Sequence, residues 1–159
     1  MFRLRMYEVK SEYVEYLSKH HEHLFYDRGN NRRKYVGIIL DINGYKYFAP
    51  LSSFKEKHKK IKEGVDFIKI KDYAVININN MIPVPQGAFN SPDINAEKDP
   101  HYRYLLQAES REINRQKNRI LKNAQIVYSH KKKYGTSTLL AKRTNDFNKL
   151  EQLCDKYVR

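Results

Sequence analysis

Tryptophan is absent from this 159-residue chain, cysteine occurs once, and only six glycines and five prolines interrupt it. A lone cysteine excludes an internal disulfide, and a reducing, cytoplasmic setting is expected. Cys154 shares helical spacing with Leu150, Leu153 and Tyr157, which reads as core rather than as a reactive thiol. No stretch approaches the roughly 18 consecutive apolar residues of a membrane span, so no membrane partner is expected. The opening residues, Met1 to Tyr7, show no apolar segment or small-residue cleavage site, and no secretory signal is expected. Gly-rich phosphate loops and a Gly-x-Ser-x-Gly nucleophile elbow are missing as well.

Acidic residues are in short supply. The 18 Asp and Glu face 31 Lys and Arg, leaving a net charge of +13. Such an excess favours a polyanionic partner, because neutralised phosphates release condensed counterions. Paired carboxylates suited to two-metal phosphodiester cleavage are not conspicuous in any loop. His20, His21 and His23 have only Glu22 beside them and no cysteine, so they read as a solvated helix end rather than a metal site. No metal and no cofactor are expected.

What the chain does have is tyrosine (13) and phenylalanine (7) spread through 40% hydrophobic residues. That composition specifies a globular chain, expected to form one domain over residues 1–159. Some tyrosines among the cations are placed to stack on unpaired bases; most are expected in the core. Residues 2–9 alternate as a half-buried strand. Ser11 is expected to cap a helix that ends in the histidine run, and residues 26–33 read as a basic loop.

The clearest local signal is Asn43-Gly44 between two β-rich runs, a hairpin with a type I′ turn. Short strands are expected at Asp66–Ile70 and Tyr73–Asn77, with an extended piece from Met81. Residues 83–100 hold four prolines and should form an irregular connection. Asp99 followed by Pro100 begins a helical pattern that runs to Gly135, long enough that a break near Asn114–Asn118 is expected. A short strand at Ser137–Ala141 and a last helix capped by Asn145 complete the reading: α+β, a small antiparallel sheet decorated with helices.

The positive charge gathers in two places. Residues 101–143 hold eleven Lys or Arg against Glu109 and Glu112, nine of the thirteen net charges. A solvated helix face accounts for part of this; a phosphate-binding face using Arg115, Lys117, Arg119, Lys122, Lys131, Lys132 and Lys133 accounts for the asymmetry better. The second concentration follows the hairpin: Ser52, Ser53, Lys55, Lys57 and His58. RNA strand scission needs a base for the 2′-hydroxyl proton, a cation for the phosphorane and an acid for the 5′-oxygen. Lys55 could serve as base if neighbouring cations lower its pKa, or as the stabilising cation. Ser52 and Ser53 could donate to phosphate oxygens. By itself Ser-Ser-x-Lys also occurs at ordinary helix starts.

The succession Tyr35-Val-Gly37, Asn43-Gly44, Ala49-Pro-Leu-Ser52-Ser53-x-Lys55-x-x-His58 and Asn77-Ile-Asn-Asn-Met81-Ile-Pro83 resembles the type III toxin–antitoxin endoribonucleases, the ToxN/AbiQ family. The resemblance implies a compact, highly twisted antiparallel β core, like that of the Kid/MazF toxins, surrounded by helices. It also implies RNA cleavage at A-rich sites, leaving 2′,3′-cyclic phosphate and 5′-hydroxyl ends. The implied partners are a small pseudoknot antitoxin RNA cut from tandem repeats, and cellular and phage RNA substrates. A closed assembly such as three toxins with three RNAs, acting in abortive infection of phage-infected cells, is part of the same implication. Ser52, Ser53 and Lys55 fall on the family's catalytic hydroxyl-Ser-x-Lys positions. Arg33, where some relatives carry an active-site lysine, is assigned to phosphate binding with Arg32, since a guanidinium does not give up its proton. Tyr26 is the nearest counterpart of a family tyrosine, and His58 is expected to contact RNA. A non-catalytic basic RNA-binding protein is the alternative that the same charge and tyrosines allow. A DNA-binding regulator would need a helix-turn-helix signature, which is absent.

Overall fold

The computed structural model describes residues 3–21 and 34–158. Among them seven antiparallel strands form the sheet, in the order β4-β5-β3-β2-β1-β7, with β6 added on β3. They are β1 (Arg5–Val9), β2 (Lys34–Ile42), β3 (Tyr45–Ser53), β4 (Phe67–Ile70), β5 (Ala74–Asn77), β6 (Ile82–Pro83) and β7 (Phe89–Asn90). Among the described residues six α-helices accompany them: α1 (Ser11–His20), α2 (Glu56–Lys60), α3 (Pro100–Arg115), α4 (Lys117–Tyr134), α5 (Leu139–Arg143) and α6 (Phe147–Tyr157). The α+β architecture read from the sequence is the one observed.

The β2–β3 hairpin turns at Asn43 and Gly44, whose φ angles of 54° and 84° are the positive pair a type I′ turn requires. β3 is the organising strand. Its first half pairs with β2 on one side and with β6 on the other, through Tyr47↔Pro83 and Phe48↔Ile82. Its last three residues pair with β5, Leu51↔Ile76, Ser52↔Val75 and Ser53↔Ala74. Gly37 on β2 lies flat against Phe48: a Cβ there would come within 2.8 Å of the ring. Only glycine allows the strand that close.

Most buried tyrosines do serve the core, as composition suggested. Tyr47, Tyr128 and Phe147 form a ring cluster with centroids 5.2 to 5.6 Å apart. Both hydroxyls donate to Glu151 Oε2 at 2.7 Å, so their polar tips stay satisfied. On α1, Tyr13 donates to the Pro83 carbonyl and Tyr16 to the Leu153 carbonyl, which ties this helix to β6 and α6. Cys154 is buried on α6 as expected. Asn114 extends the sheet's hydrogen bonding from α3: its amide accepts from Leu4 N–H at 2.9 Å and donates to Leu4 C=O at 3.0 Å.

Four local expectations need correction. Lys10, not Ser11, occupies the N-cap of α1, and Ser11 is already helical. Residues 139–143 are helical rather than extended, because Thr138 caps them by accepting from Ala141 N–H. The last helix is capped by Asp146, whose carboxylate accepts from Lys149 N–H; Asn145 is buried and donates instead to the Met81 carbonyl. The stretch 83–100 is not wholly irregular, since β7 pairs with β1 through Glu8↔Asn90 and Val9↔Phe89. The Asp99 cap and the helix break are as the sequence implies: Asp99 accepts from His101 N–H at 3.0 Å, and α3 gives way to α4 at Gln116.

Candidate nucleic-acid interface and cleavage site

β3 ends at Ser53, and after Phe54 and Lys55 the chain enters α2. Ser52 is half-buried, while Ser53 and Lys55 are exposed. Directly opposed residues of antiparallel strands put their side chains on one face. The registers Ser52↔Val75 and Lys69↔Val75 therefore set Ser52 and Lys69 on the same face, two strand spacings or about 10 Å apart. Ser53 belongs to the opposite face, at the end of its strand. Sequence spacing gave no sign of Lys69; only the β4–β5 pairing brings it to the row of Ser52.

Lys55 stands at the N-cap of α2 with extended backbone, φ −120° and ψ 166°. Its N–H donates to His58 Nδ1 at 2.8 Å, and His58 N–H donates back to the Lys55 carbonyl at 2.9 Å. This is one half of a capping box: the side chain at the third helical position, here a histidine ring in place of the usual carboxylate or amide, accepts from the N-cap N–H, while the returning bond is an ordinary backbone turn. The ring lies between Phe54 and Phe67, with centroids 5.7 and 5.8 Å away, and is only 7% exposed. That corrects the expectation of an RNA contact: His58 faces the interior and braces Lys55. Burial first, then the cations Lys57, Lys55 and Lys69, push its pKa below the usual histidine range.

Basic helical residues divide into two groups. The α3–α4 junction is fixed to the outer edge of β4: Gln116 donates to the Lys69 carbonyl at 3.2 Å, and Arg119 pairs with Glu63 at 3.0 Å. Arg115 forms a two-pronged pair with buried Glu112, whose carboxyl the guanidinium holds down to about 2 against the opposing effect of burial. Arg115 and Arg119 thus lie by the edge of β4, next to the β3–β5 pair, while Lys122 is exposed further along α4. The Lys131-Lys132-Lys133 run lies elsewhere, about 21 Å from Lys117 along α4 at 1.5 Å per residue. There Lys131 Nζ donates to the Gly135 and Ala141 carbonyls at 2.8 Å, closing the helix end. Lys132 pairs with Glu151 at 3.4 Å and bonds Asn148, and Lys133 lies 5.3 Å from the Tyr134 ring. Lys131 and Lys132 are therefore engaged within the protein. Arg32, Arg33 and Tyr26 fall outside the described residues.

The arrangement sets hydroxyl and ammonium groups at the end of β3, with the guanidinium groups of Arg115 and Arg119 by the edge of the same sheet. Phosphate oxygens are what such donors match.

Comparison with known proteins agrees along nearly the whole chain. A family model described as Toxin ToxN, type III toxin-antitoxin system, matches residues 5–155. Endoribonuclease ToxN of Bacillus thuringiensis subsp. kurstaki is 30% identical, with 96% of this chain and 84% of that protein aligned. Endoribonuclease AbiQ of Lactococcus lactis subsp. lactis is 29% identical, with 98% and 90% aligned. Among solved structures, AbiQ, a lactococcal anti-phage endoribonuclease of a type III toxin–antitoxin system, superposes with a TM-score of 0.86 at 25% identity, covering 99% of each chain. A structure from work on selective inhibition of a type III toxin by a non-coding RNA pseudoknot gives 0.82 at 27% identity, again with 99% of each chain covered.

Proposed function

The chain belongs to the ToxN family of type III toxin–antitoxin toxins, and from that premise we propose that it is a sequence-specific, metal-independent endoribonuclease whose centre is the Ser52-Ser53-x-Lys55 end of β3. Its cut is a transesterification. The 2′-oxygen attacks phosphorus, the bond from phosphorus to the 5′-oxygen breaks, and the products carry a 2′,3′-cyclic phosphate and a 5′-hydroxyl. One proton leaves the 2′-hydroxyl and one reaches the departing 5′-oxygen. Lys55 holds the charge that builds on the phosphorane, or moves one of those protons, and the two serines donate to non-bridging oxygens. The basic α3–α4 junction carries the strand across β4, with Arg32 and Arg33 assigned to phosphate and Tyr26 to base or phosphate contact.

The observation that carries this reading is the coincidence of a family match over residues 5–155 with solvent-exposed Ser53 and Lys55 at the end of β3. The same premise supports A-rich cleavage sites, a repeat-derived pseudoknot RNA that the toxin processes and that inhibits it, and a closed assembly such as three proteins with three RNAs. Phage-directed abortive infection from a single cytoplasmic domain completes the proposal.

The test is incubation of RNA-free protein with an A-rich RNA in excess EDTA, followed by end analysis. Cuts at discrete positions with cyclic-phosphate ends are expected. Binding without cleavage would leave a basic RNA-binding protein.

A further inference from the structure

Lys55 leaves a regular strand and enters a five-residue helix, so little regular backbone fixes its direction. Its N–H has a side-chain acceptor, Nδ1 of His58, at 2.8 Å. A ring nitrogen accepts only when it carries no proton, so the bond requires the neutral ring with hydrogen on Nε2. An imidazolium would set N–H against N–H. We infer that His58 is a positioning residue for the cleavage reaction, holding Lys55 in its working conformation through an acceptor nitrogen that only the neutral ring provides. This rests on the proposed catalytic place of Lys55.

The groups facing the ring are Phe54 and Phe67, which exclude water, and the cations Lys55, Lys57 and Lys69, the last from β4. All of them disfavour the imidazolium, so the brace is intact at neutral pH. Acidification charges the ring, breaks the bond to Lys55 and frees the N-cap. Activity thus carries an acid limb set by a residue that never touches RNA.

The experiment compares kcat and KM on an A-rich RNA from pH 5 to 8 for the wild type, His58→Gln and His58→Ala. It adds nitrogen-15 NMR of the RNA-free wild type, following the His58 ring and the Lys55 amide. Glutamine at this capping position accepts the same N–H without titrating. Wild-type kcat should fall on acidification while KM changes less than about threefold, since phosphate contacts elsewhere persist. His58→Gln should lack that limb. His58→Ala should lose roughly 10- to 100-fold in kcat at every pH, the scale of a displaced catalytic group. The Lys55 amide should shift with the ring's titration.

An acid limb unchanged in His58→Gln, wild-type kcat in His58→Ala, or a Lys55 amide indifferent to the ring would each overturn the inference. Should His58→Ala fail to fold, the glutamine profile and the wild-type NMR titration decide. If the wild type cuts no RNA, the proposed activity fails on its own, and the amide titration still decides whether His58 braces Lys55.

Discussion

Glu109 gives a stability prediction that the geometry makes quantitative. It is 5% exposed on α3, and burial lifts its carboxyl from 4.5 to about 7, with the Lys34 ammonium pulling the other way. Lys34 is itself buried and bonded to Glu8 at 3.0 Å, so its charge is already shared. Between those two pH values the folded chain keeps a proton that the unfolded chain has lost. Stability therefore falls as pH rises from 4.5 to about 7, the opposite of a salt-bridged carboxylate. At about 1.4 kcal/mol per pH unit the full swing is about 3 kcal/mol. Glu109→Gln removes the titration and keeps the shape. Urea unfolding of both proteins at pH 5 and pH 8 should show the variant gaining about 2.5 kcal/mol on the wild type across that interval, whatever their offset at pH 5, since part of the swing already lies below pH 5. Parallel stability curves would refute the argument, because they would mean the carboxyl finds full compensation when charged.

Glu112 carries the reverse sign: held down to about 2 by Arg115, it contributes stability that is present above about pH 4.5 and lost as pH falls through 2. Acid unfolding of Glu112→Gln should therefore lack part of the wild type's slope in that range. Gly37→Ala should cost about 1–3 kcal/mol in urea unfolding, since a Cβ would sit 2.8 Å from the Phe48 ring. Lys131→Ala should lower the melting temperature by freeing the Gly135 and Ala141 carbonyls, while Lys122→Ala should leave it unchanged and weaken RNA binding. Equal losses of RNA affinity in the two variants, measured by filter binding at fixed salt, would contradict that division of the basic residues.

Local chemistry made much of the fold legible. Asn43-Gly44 permits positive φ at both turn positions, and Asp99-Pro100 supplies a side-chain acceptor where a helix has orphan donors, so these boundaries could be read directly. The misread C-terminal pieces turned on competition between neighbours. Asn145 and Asp146 are both good caps, and the choice fell to tertiary structure, where the Met81 carbonyl claimed the asparagine. Thr138 is equally at home in a strand or at a helix start.

For the site, Ser52, Ser53 and Lys55 were visible as a motif because they are contiguous. The placement of Lys69 in the same cross-strand row as Ser52, with Val75 between them, depends on two registers that sequence spacing does not specify. His58 was misread for a related reason. A histidine in a basic run resembles a phosphate ligand until the rings of Phe54 and Phe67 are seen to enclose it.

The central claim separates cutting from holding, and Lys55→Ala tests it most directly when cleavage rate and RNA affinity are measured on the same preparation, in EDTA, beside the wild type. Removing one cation from a surface rich in them should leave affinity within about tenfold. The account predicts that cleavage is abolished while binding persists. A Lys55→Ala protein that cuts the same RNA at the wild-type rate would contradict it and move the catalytic centre away from the end of β3.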